Sequence, residues 1–240
     1  MYQRIFLEDL NSTFQIRKIR ELYELKTNNR DKPINIKLPF SLNEDVATFA
    51  GMFPDGSIIK DLKRIYFTQK KDDRQIRLFG RLLKKLFRPK SKIFFREGHN
   101  AKEVFINSQT LAIFCYKILG MNKSDEEMRV PRWVYNSKKS VIRSYLKQAF
   151  NAEAYVAKNL REIRFITKDH NYAQDLQKLL LLIDINSKIQ PRIGGGGIRP
   201  QLQYRLSIYG KENFRKFKDV GFSIPLHKKR LEKMTKFILH

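Results

Sequence analysis

The chain is short of cysteine, histidine and acid. Its 240 residues include one cysteine, Cys115, so no disulfide can form within one chain. The setting LAIFCYKIL makes that thiol a core position. The four histidines (His99, His170, His227 and His240) show no zinc-ligand spacing. No apolar run reaches the roughly 20 residues that a membrane span needs. The opening MYQRIFLEDL carries acids and lacks the apolar stretch of a signal peptide, which points to an intracellular protein, in cytoplasm or organelle matrix, rather than a secreted one. The shortage of acid says most. Against 49 Lys and Arg there are 24 Asp and Glu, for a net charge of +25. A field of one sign attracts polyanions, nucleic acid first and an anionic membrane second. The membrane is disfavoured because no strongly basic amphipathic anchor stands out.

What is present is enough apolar material, 42% of residues, for one large domain or two ordinary ones. It is organised as a repeat. GSIIKDLKRIYFTQK, residues 56–70, aligns with AYVAKNLREIRFITK, residues 154–168, at an offset of 98. Ile58 meets Val156, Leu62 meets Leu160, Ile65 meets Ile163 and Phe67 meets Phe165. At the same offset Asp55 meets Glu153. Apolar spacing and turn residues give each copy the order α-β-β-α-β-β-α. Helices are predicted over 43–53 and 138–151. Strands follow at 57–61 and 64–69, and at 155–159 and 162–167. The next helices carry Ile76, Phe79, Leu82, Leu83 and Leu86, or Leu176, Leu179, Leu180 and Ile183. The second strand pairs are KIFFR and EVFIN, then KIQPRI and QLQYRLSIY around the loop GGGGIRP. Helices over 109–120 and 226–239 close the copies. The fold class is α+β: a helical extension over 1–32, repeats over 33–121 and 138–240, and the polar linker 122–137.

The strands alternate, so one sheet face is wet. In QLQYRLSI the polar set is Gln201, Gln203, Arg205 and Ser207; in RIYFTQ it is Arg64, Tyr66 and Thr68; in EIRFIT it includes Arg164. With Lys63, Lys92, Arg96, Asn159, Arg161 and Arg192 these form the candidate DNA-binding set. Arg suits guanine and phosphate, and Gln and Asn suit adenine. The acids stand apart from this set. Small residues at Ala50, Gly51, Ala149 and Ala152 allow the first helices of the two copies to pack closely, which would bring Asp55 and Glu153 together. Two adjacent carboxylates repel unless a cation lies between them, and a hard divalent ion takes one or two carboxylates plus phosphate oxygens. Asp55 and Glu153 are therefore the candidate metal ligands and catalytic groups.

These stretches carry a resemblance. TFAGMFPDGSI resembles the LAGLIDADG motif aligned back from Asp55-Gly56, YLKQAFNAEAYV resembles its second copy, and VPRWVYNSKKSVIRSYL resembles the lead-in to it. Over residues 36–240 the chain is similar to monomeric, two-repeat LAGLIDADG homing endonucleases. The resemblance implies a saddle of two antiparallel sheets gripping a long, asymmetric double-stranded DNA site, with paired motif helices at the interface. It implies Mg²⁺, or Mn²⁺ or Ca²⁺ in its place, on the two acids, and cleavage of both strands with 3′ overhangs. FTQK resembles a family segment that makes Gln69 a candidate for positioning water. The family places a basic residue near each acid at the end of the last strand, where this chain has Asn107 and Tyr209. Ala50 and Ala154 replace usual glycines, and Pro54 precedes the acid. A start at Met and an end in FILH fit an intron-encoded protein better than an intein. The rival readings are the same fold without cleavage, as an RNA maturase or a DNA-binding protein, and an unrelated basic RNA-binding protein.

Overall fold

The computed structural model of the chain describes residues 2–70, 73–98, 101–194 and 200–236. It forms two units: Met1–Glu126 with Pro131–Trp133, and Glu127–Val130 with Val134–His240. The division falls inside the acidic stretch between the repeats. No helix among the described residues is long and apolar enough to cross a membrane.

The expected N-terminal helix is absent. Residues 1–32 and the segment after them instead give β1 (Arg4–Ile5), β2 (Gln15–Ile19), β3 (Leu22–Lys26), β4 (Ile34–Ile36) and β5 (Phe40–Ser41). β2-β3-β4 make an antiparallel sheet, and β1 pairs with β5. The apolar spacing of QIRKIRELYELK fits a helix, but tertiary burial overrides it. A two-residue turn with Arg20 at φ 54° pairs Ile19 with Leu22. The hairpin then sets Leu25 against Ile34, and both are fully buried. Residues 27–31 dock onto the helix that closes the first repeat. The Asp31 carboxylate accepts from the Thr110 amide and hydroxyl, and Asn28 Nδ2 donates to Gln109 Oε1 at 3.1 Å.

The first repeat runs α1 (Glu44–Gly51), a 3₁₀ turn (Phe53–Asp55), β6 (Gly56–Ile58), β7 (Arg64–Gln69), α2 (Asp73–Phe87), β8 (Ile93–Glu97), β9 (Lys102–Asn107) and α3 (Gln109–Ile113), which continues as a π-helical turn to Ile118. After α4 (Arg132–Tyr135) the second repeat runs α5 (Lys139–Glu153), β10 (Ala154–Val156), β11 (Glu162–Thr167), α6 (His170–Leu182), β12 (Ser187–Gly194), β13 (Gln201–Tyr209), α7 (Lys211–Phe217) and α8 (Pro225–Lys236). The sheets have the same antiparallel order, β6-β7-β9-β8 and β10-β11-β13-β12. The α-β-β-α-β-β-α order is thus present twice, with two closing helices rather than one in the second unit. Most of the loop GGGGIRP and the end of the predicted 226–239 helix lie outside the described residues.

The repeat extends to single backbone bonds. Leu62 and Leu160 both take positive φ, 58° and 56°. Ile59 N donates to Arg64 O and Ala157 N to Glu162 O, each at 3.0 Å. Asp61 and Asn159 each accept from the amide two residues on, at 3.2 Å. Farther along the chain the offset is 102, because Arg64 pairs with Asn107 where Glu162 pairs with Tyr209.

Each unit packs its helices on one sheet face through aromatic contacts. Phe79 of α2 meets Phe67 at 5.0 Å and Phe49 of α1 at 5.1 Å between ring centroids; in the second unit Phe150 meets Phe165 at 5.4 Å and Phe217 at 5.1 Å. Such pairs add about 0.5–1.5 kcal/mol each beyond the area they bury. Buried Asp175 in α6 anchors the chain entering the second unit. It accepts from Arg129 Nε at 2.7 Å and from Val130 N at 3.1 Å.

Candidate functional site

Asp55 is placed by the way α1 ends. Asn43 caps the start of α1, its side chain accepting from Asp45 N and Val46 N. Pro54 has no amide hydrogen to continue the helical ladder, so the chain tightens into the 3₁₀ turn, closed by Asp55 N donating to Met52 O at 3.2 Å. Gly56 starts β6 directly afterwards. A Cβ there would lie 2.9 Å from Tyr66 O, so glycine allows β6 to pair with β7 beside the acid. The Asp55 carboxylate is half-buried and accepts from Gln69 Nε2 at the end of β7. Burial pushes its pKa up to about 6 and the Gln69 bond opposes this. No Lys or Arg among the described residues forms an ion pair with it. A partly desolvated carboxylate in that position fits a hard divalent cation, which restores the charge balance that burial disturbs. No group of three or more His, Cys, Asp or Glu among the described residues converges on a metal. A cation held by Asp55 would have to complete its shell mostly with oxygens from outside the chain.

Glu153 occupies the equivalent point of the second unit. It is the last residue of α5, is exposed, and directly precedes β10. The position of Gln69 is taken by Thr167, whose hydroxyl accepts from Asp169 N at 3.1 Å. The residues placed by alignment near the acids, Asn107 and Tyr209, sit elsewhere. They pair with Arg64 and Glu162, whereas Gln69 and Thr167 pair with Lys102 and Tyr204. Lys102 is held by Asp73 at 2.8 Å and Glu97 at 2.9 Å. Two exposed lysines that the motifs do not single out, Lys70 and Lys168, directly follow Gln69 and Thr167 and are the nearest cations in sequence to the acid-proximal strand ends.

The sheet face away from α2 carries Arg64, Tyr66 and Thr68 on β7. Phe105 and Asn107 on β9 and Lys92, Phe94 and Arg96 beside or on β8 complete it. Arg64 Nε donates to Asn107 Oδ1 at 2.7 Å, and Arg96 lies 3.7 Å from Glu103. Lys63 stands exposed in the β6–β7 turn, 3.1 Å from Asp61, and Asn159 and Arg161 occupy the same turn in the second unit. On the second sheet Gln190, Arg192, Gln203 and Arg205 share the corresponding face with Arg164 and Lys188. Arg205 donates to Gln190 Oε1 at 2.6 Å. Gln201 is exposed at the strand end.

One expectation for this face needs correcting. Ser207 is completely buried rather than wet, because Arg164 and Lys188 flank it on the neighbouring strands. Two acids lie among the cations of this face: Glu103 on the first sheet and Glu162, only 6% exposed, on the second. Arg164 donates to Glu162 and holds its carboxyl below the usual range, so Arg164 is a tethered cation rather than a free one.

Comparison with known proteins agrees with this architecture. Residues 140–220 match the family profile of the LAGLIDADG-like domain. The solved structure of I-DmoI in complex with DNA and Ca aligns with a TM-score of 0.57 at 17% identity, covering 80% of this chain and 98% of that one. Residues 140–220 are thus a LAGLIDADG-like domain, and the chain as a whole shares the two-repeat fold of that structure. Among curated proteins it is 31% identical over 206 residues to a probable translation initiation factor IF-2 of Methanocaldococcus jannaschii. It is 27% identical over 183 residues to a component of the A-type ATP synthase of Pyrococcus abyssi. These matches cover 83% and 75% of this chain but only 17% of each relative.

Proposed function

We propose that the chain is a site-specific endonuclease of the homing type that cuts double-stranded DNA with a divalent cation. The observation that carries this reading is the repetition of the acid: Asp55 and Glu153 each stand one residue before the first strand of their repeat, beside a cationic sheet face. The relatives add support. Two proteins of unlike name, an initiation factor and an ATP synthase component, each carry a stretch similar to this chain that fills 17% of their length. A segment recurring in such different proteins is what a nuclease that spreads its own coding sequence would leave.

In this reading the two sheets lie in major grooves, their Arg, Lys and Gln side chains meeting phosphates and base edges. Asp55 and Glu153 each supply carboxylate oxygens to a divalent ion, Mg²⁺ in the cell and Mn²⁺ or Ca²⁺ in its place. Such an ion lowers the pKa of its bound water and offsets charge on the leaving oxygen. Gln69 holds the Asp55 carboxylate in one orientation. Lys70 and Lys168 offer positive charge to the phosphates beside the scissile bonds. The protein works as a monomer, because both acids and both sheets are on one chain. Selecting bound duplexes from a random pool and incubating the selected site with Mg²⁺ tests the proposal. It stands if both strands are cut at fixed positions and fails if the site is bound but remains intact.

A further inference from the structure

The wet face of the first sheet is not uniformly polar. Tyr66, Phe105 and Phe94 stand side by side across β7, β9 and β8. The Phe94 and Phe105 rings stack at 5.0 Å with 11° between their planes. Three cations ring them: Arg64 lies 4.8 Å and Arg96 5.2 Å from the Phe105 centroid, and Lys92 5.5 Å from that of Phe94. Phe105 is buried under this cover, while Phe94 remains 37% exposed. Phe95 does not join them; it turns to the other face, where it packs on Gly80 of α2. The second sheet has a different chemistry in the same registers. Arg164 replaces Tyr66, Ser207 replaces Phe105 and Lys188 replaces Phe94.

The exposed part of Phe94, inside a cationic rim, is apolar area that phosphate binding alone does not use and that burial against a ligand would recover. From this row we infer a specificity element, resting on the DNA-binding reading above: the exposed part of Phe94 reads the 5-methyl group of a thymine in the major groove. The rim supplies charge complementarity for the flanking phosphates. One face of the Phe94 ring is taken by Phe105 and Lys92 lies over the ring, so neither is open for a base to stack on. An apolar contact with a thymine methyl remains available, and this is one of the few apolar features the major groove presents. The second sheet, with Lys188 in that register, suits a guanine instead.

The test begins with the duplex site obtained by selection. Each thymine in it is replaced in turn by uracil, which removes only the methyl. Wild type should lose affinity about fourfold at one position, the worth of one buried methyl. Phe94→Ala should bind more weakly and no longer respond at that position, and Phe94→Lys should shift its preference there from thymine to guanine. Circular dichroism checks that both variants fold. Tolerance of uracil at every position by wild type, or tighter binding to single strands than to duplex, overturns the proposal while leaving duplex cleavage standing. Failure to select any duplex overturns the DNA-binding reading and this inference with it.

Discussion

Removing the charge of Asp55 should abolish cleavage and at the same time make the metal-free protein more stable. Burial raises the Asp55 pKa to about 6 from 3.8. A carboxylate raised in this way favours the folded state fully below pH 3.8, and that contribution is lost as pH rises through about 6. At neutral pH the fold therefore carries a disfavoured charge. A difference of about two pH units corresponds to ~3 kcal/mol at full weight. Asp55 keeps some access to water, so screening leaves ~1–2 kcal/mol. Asparagine retains the shape and can still bond Gln69, but has no charge. Asp55→Asn in EDTA should melt ~3–8 °C higher than wild type near pH 7.5, and the gain should shrink to nothing near pH 4. Thermal unfolding of both proteins at the two pH values measures this. A variant no more stable than wild type near pH 7.5, or a gain of equal size near pH 4, would refute the claim that Asp55 is held at an energetic cost.

Binding to the selected duplex should weaken steeply with salt, with a slope of log affinity on log salt near −6 or steeper, at about −0.9 per phosphate neutralised; a titration between low and moderate salt reads it, and a shallow slope argues against a long groove interface. Arg205→Ala should cost about 1–3 kcal/mol and relax preference at one base pair, whereas a uniform loss across sequences in binding-site selection would reduce Arg205 to a phosphate contact. Asp175→Ala should destabilise the second unit by about 3 kcal/mol, because Arg129 and the Val130 amide lose their acceptor. Burial pushes the Asp175 carboxyl up, but bonds from Arg129, Tyr135 and Val130 outweigh it and hold the pKa low. The stability it adds is thus present at neutral pH and lost as pH falls through that low value, so urea unfolding of wild type and variant should converge in acid.

The repeat and the position of its acids were legible because both are written locally. Alternating strands, a Pro-Asp-Gly stop and a fixed offset of 98 survive in the residues themselves. The first segment was not legible. QIRKIRELYELK has apolar spacing that suits a helix, and burial of Leu25 against Ile34 decides for a hairpin. Alternation puts Ser207 on the wet face, correctly as to side, but its burial depends on long side chains from two other strands. Phe94 and Phe105 escape a sequence reading for the same reason. Alternation assigns each to a face of its own strand, and only the register brings them together with Tyr66.

The most direct measurement is cleavage of the selected duplex in Mg²⁺ by wild type, Asp55→Asn and Glu153→Gln, with binding followed in parallel. Wild type should cut both strands, and each variant should bind with near-unchanged affinity and leave the DNA uncut, since the carboxylates serve the cation and not the grip. Cleavage by either variant at close to the wild-type rate would contradict the assignment of these two acids as the metal-binding groups.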